Sequence, residues 1–174
     1  MRAKLPHSVR SQPTWWTAAL WLIGAFFAQI LLSTFVDFRD VRPSAFLIVT
    51  VWYAVRVDPA RAALFGFIGG MLEDALAGGT TGGAFAVSTA IAGALAAIGS
   101  RGFFADSIPV VTLIAFLASF VRLTVFWVVM GIQGYPAGMG TIHLHEAVWQ
   151  AIMNAGLAAL VILIARRYSP TNEL

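Results

Sequence analysis

Residues 15–36 read WWTAALWLIGAFFAQILLSTFV, 22 positions without one charge. A helix crosses a bilayer with about 20 predominantly apolar residues, whereas the core of a signal peptide holds only about 7–15 and leads to a cleavage site. No such site is evident after Val36, so the stretch is predicted to be a retained transmembrane helix. The same imbalance runs through the whole chain. Of 174 residues, 59% are hydrophobic and 11% charged, against roughly a quarter charged in a soluble domain. A chain this small leaves much of its surface exposed, and lipid is the solvent that accepts so much apolar surface.

Working outward, Pro43 opens a second apolar run, Ser44 to Val55, at the first-turn position where proline disturbs a helix least. Its 12 residues rise only about 18 Å, too little to cross unaided. Asp58 followed by Pro59 is an N-cap with proline at the first helical position, so a third helix is predicted from Pro59 to about Ala77. Gly78-Gly79-Thr80-Thr81-Gly82-Gly83 reads as a hinge or re-entrant turn. A fourth helix, rich in small residues, follows from Ala84 to Ser100, where such residues let backbones approach closely in lipid. A fifth is predicted from Ile108 to Ile132 behind Ser107, and a sixth from about Thr141 to Ala165. The expectation is an all-α, six-span protein: a cytoplasmic segment 1–14, a transmembrane domain 15–167 and a cytoplasmic tail 168–174.

Charge sets the orientation. With the N-terminus inside, Arg2, Lys4, Arg10, Arg56, Arg61, Arg101, Arg166 and Arg167 are cytoplasmic, and only Arg39 and Arg42 lie outside. The positive-inside rule places both ends in the cytoplasm. Arg122, the last of the 11 basic residues, falls within a span.

An ionisable group within a span costs about 2.5–3.5 kcal/mol on insertion scales and needs a partner or water. Gln29, Glu73 and Arg122 each stand 14 residues from the cytoplasmic start of their helix, which puts all three about 21 Å up. Gln150, 15 residues above Ala165, and Glu146 one turn further out join them in one polar layer. Gly66, Gly70, Asp74 and Gly78 recur every fourth position, a small-residue face that turns Asp74 inward. His143, Glu146, Gln150 and Asn154 form a stripe on the last helix. Arg122 is predicted to pair with Asp74, Glu73 or Glu146. The simpler alternatives are that Asp74 is a capping carboxylate wetted by the glycine loop, and that Arg122 snorkels to the outer interface.

Several function classes fall away at this stage. There is no cysteine, hence no disulfide, thiolate site or cysteine nucleophile. The basic residues are scattered between apolar runs and form no nucleic-acid patch. The glycine loop lacks the lysine of a phosphate cradle. His143 and His145 diverge on a helix and suggest interfacial positions more than metal ligands. No nucleophile stands beside a base. No cofactor is expected.

Two stretches carry a family resemblance: Arg42-Pro43, opening a short apolar run that ends near Trp52-Tyr53, and Gly66-Phe67, Gly70, Asp74, Gly78 and Gly82. Together with the chain length and the closing Arg166-Arg167, they resemble the rod shape-determining MreD family of bacterial inner-membrane proteins. Glu73 and Arg122 lie outside the matched pattern. The resemblance implies a non-enzymatic subunit of the machinery that builds lateral cell wall. It would bind an MreC-like single-span protein and belong with MreB filaments, RodA and a penicillin-binding protein. It also implies a fold similar to the six-helix substrate-binding subunits of energy-coupling-factor vitamin transporters. That likeness supplies the rival reading, a small-molecule binding subunit whose pocket is lined by the polar layer.

Overall fold

The computed structural model describes residues 13–36, 41–101, 107–135 and 140–168, without the side chains of 140–142 and 165–168. Arg2, Lys4, Arg10 and Arg39 lie outside the described residues, as do the outer parts of both terminal segments. Six helices and no strand segment make up the described chain: α1 Trp15–Phe35, α2 Ala45–Ala54, α3 Pro59–Leu76, α4 Ala84–Gly99, α5 Ile108–Ile132 and α6 Gly140–Tyr168. Asp58 caps α3 as expected, its side chain accepting from the Arg61 amide at 3.1 Å with Pro59 at the first position. The last helix runs three residues beyond Ala165.

Three helices are long and apolar enough to cross a membrane: α1, α5 and the His143–Ile164 part of α6. Their outward faces expose large apolar side chains, among them Leu20, Phe27, Leu117, Val128 and Leu160. An exterior this apolar is compatible with a membrane protein.

The second helix departs most from an ordinary span. It is ten residues long, about 15 Å, and apolar on every side, the pattern of a helix buried all round. Phe46, Leu47, Val51, Tyr53 and Ala54 are sealed from solvent, and α2 packs against each of the other five helices. These five form a partial ring, α1–α3–α4–α5–α6, whose ends α1 and α6 do not approach each other. Between them stand α2 and residues 42–45, which contact both.

The closest packing in the molecule is between α3 and α4. A Cβ placed on Gly66 would stand 2.5 Å from the Thr89 carbonyl oxygen, and one on Gly70 would stand 2.6 Å from Ala86 Cα. Across the same seam, a Cβ on Gly93 would meet the Ala62 carbonyl oxygen at 2.9 Å. Gly66 and Gly70 thus share the face expected of them. Gly78 does not extend it: it lies past the end of α3 with φ +71°, its amide donating to the Ala75 carbonyl at 3.1 Å. A left-handed residue there terminates the helix, because glycine alone adopts that conformation without penalty.

Candidate functional site

The ten-residue α2 is preceded by residues 41–44, which have no helical structure. Four such residues cover about 13 Å, which with α2 roughly matches the hydrocarbon thickness of about 30 Å. Buried non-helical backbone survives only where other groups satisfy its polar atoms. Three amide side chains from other helices supply the partners. Gln150 Nε2 donates to the Arg42 carbonyl at 2.8 Å, and Gln29 Nε2 donates to the Pro43 carbonyl at 3.4 Å. Asn154 Oδ1 accepts from the Ser44 amide at 2.9 Å, and Gln29 Oε1 accepts from the Ala45 amide at 2.7 Å. Gln29, Gln150 and Asn154 therefore act as substitutes for a missing turn of helix.

The charges lie beside this clamp. Of the three acids offered as partners for Arg122, Glu73 is the one that meets it, with Nη2 to Oε1 at 2.8 Å. Arg122 is 1% exposed and does not snorkel. Glu73 also accepts from Ser44 Oγ at 3.3 Å, and that hydroxyl in turn accepts from the Leu47 amide as the N-cap of α2. The carboxylate thus sits by the N-terminal end of α2 as well as by a guanidinium. The Phe85 ring lies 4.8 Å from the Arg122 guanidinium carbon, while Nε, Nη1 and Nη2 make no hydrogen bond, the approach to Glu73 being an ion-pair contact. Ser119 extends the network, accepting from Asn154 Nδ2 at 3.0 Å and donating to the Ala115 carbonyl at 2.8 Å.

Asp74 has a different task. Its carboxylate accepts from the Thr81 hydroxyl, from the Phe85 amide at 3.1 Å and from the Ala86 amide at 2.9 Å. The N-cap of α4 is Gly83, which has no side chain to offer, so Asp74 caps the next helix from a distance. This joins the two alternatives stated above: Asp74 points inward, as a cap, and is buried rather than wetted. Gly82, with φ +53°, completes the turn, its carbonyl accepting from Gln133 Nε2 at 3.0 Å. Phe67 is exposed and takes no part in the site.

Above the clamp, at the end where α1, α3 and α5 finish, lies a groove of about 610 Å³. Gln29, Arg42, Glu73, Glu146 and Gln150 line it together with apolar residues such as Ile30 and Leu123. It lies over the start of α2, where that helix is short. Glu146 faces His143, with Nδ1 to Oε2 at 3.3 Å, and the His143 ring stacks on Trp127 with centroids 3.3 Å apart.

The polar layer expected from depth is therefore two structures, a closed network beneath and an open groove above. Ser44 and Ser119 belong to the network without having stood out in the sequence. A serine after Pro43 at the head of an apolar run was the available signal for the first; one hydroxyl in an apolar helix is almost none for the second. Set against family models, curated proteins and solved structures, the chain matches none.

Proposed function

We propose that this chain is a six-span protein of the bacterial inner membrane, with both ends in the cytoplasm, and a non-enzymatic MreD-like subunit of the rod-shape and cell-wall elongation complex. In this reading α2 and its non-helical lead-in together make the second crossing. An MreC-like single-span protein is its direct partner, and MreB filaments, RodA and a penicillin-binding protein belong to the same assembly. The observation that best supports the reading is the common employment of most of the residues carrying the resemblance, Phe67 excepted. Arg42 and Pro43 form the clamped lead-in, Gly66 and Gly70 make the α3–α4 seam, and Asp74 with Gly82 builds the turn that starts α4. A pattern spread over residues 42–85 thus describes one packed unit, as a shared fold requires.

The test is copurification. The full chain, tagged and extracted in mild detergent, is expected to carry an MreC-like single-span protein with it. No association by crosslinking in native membranes would sink the proposal.

A second reading has its own support. The groove volume of about 610 Å³ lies within the roughly 300–1,000 Å³ typical of small-molecule sites, which suits a vitamin-type substrate-binding subunit of a transporter. Extraction of a stoichiometric small molecule from the purified chain would favour it.

A further inference from the structure

We draw no further inference here: the strongest candidate, the groove over the start of α2 with the Glu73 and Glu146 carboxylates on its wall, belongs to the site already described, and the unpartnered amide oxygen of Gln150 beside it is sealed from that space, so nothing in the structure shows which ligand would enter.

Discussion

Glu73 and Asp74 are neighbours in sequence and serve different helices. Adjacent helical positions point about 100° apart, so the two carboxylates cannot share a partner. Asp74, on the glycine face, meets the free amides at the start of α4; Glu73, turned away, meets Arg122 and Ser44. The fourfold periodicity of Gly66, Gly70 and Asp74 made the direction of Asp74 legible but hid its partner, because an N-terminus of unsatisfied amides leaves no mark in the sequence. Glu73 had no periodic signal at all. The pair with Arg122 makes a sharp expectation. Removing one member of a buried ion pair strands the other, at about 3–5 kcal/mol, whereas replacing both by apolar residues is often neutral. Arg122→Leu is expected to lower the melting temperature of the detergent-solubilised chain severely, and Arg122→Leu with Glu73→Leu to recover most of the loss. Equal damage in the single and double variants would show that the pair is not coupled.

At the level of helices, most boundaries could be read directly. Asp58-Pro59, the glycine-rich turn and the uncharged runs each have a local cause, and local causes are what a sequence displays. The role of α2 has none: its 12-residue apolar run announced that it was short, but its central position arises from five other helices packing around it. The seam between α3 and α4 lies between these cases. Four-residue spacing marked the face, and contact with α4 explains why nothing larger than hydrogen is accommodated there. Gly66→Ala or Gly70→Ala forces a methyl into a backbone atom and is expected to cost at least about 1–3 kcal/mol, as overpacking does. Gly24 and Gly156 face open space, so alanine at either is expected to be tolerated, through the higher helix propensity of alanine. Thermal unfolding of the four single variants compares them directly.

Among the described residues the molecule is an apolar ring around a half-length helix, with the clamp and the groove toward one end. That arrangement makes orientation measurable, since the chain has no cysteine and single cysteines can be introduced without background. Ser33→Cys lines the groove, and Arg61→Cys lies in the first turn of α3 at the opposite end. In intact cells a membrane-impermeant thiol reagent is expected to label the first and to reach the second only after the membrane is opened. The reverse pattern would invert the proposed topology. One last consequence concerns biogenesis. Two of the three amides that clamp residues 42–45, Gln150 and Asn154, come from α6, 108 and 110 residues after the groups they hold. Until they arrive, the lead-in has bare backbone groups that cost several kcal/mol each in lipid. In the proposed six-span topology the second segment is therefore synthesised early and seated late, only once α6 has followed it.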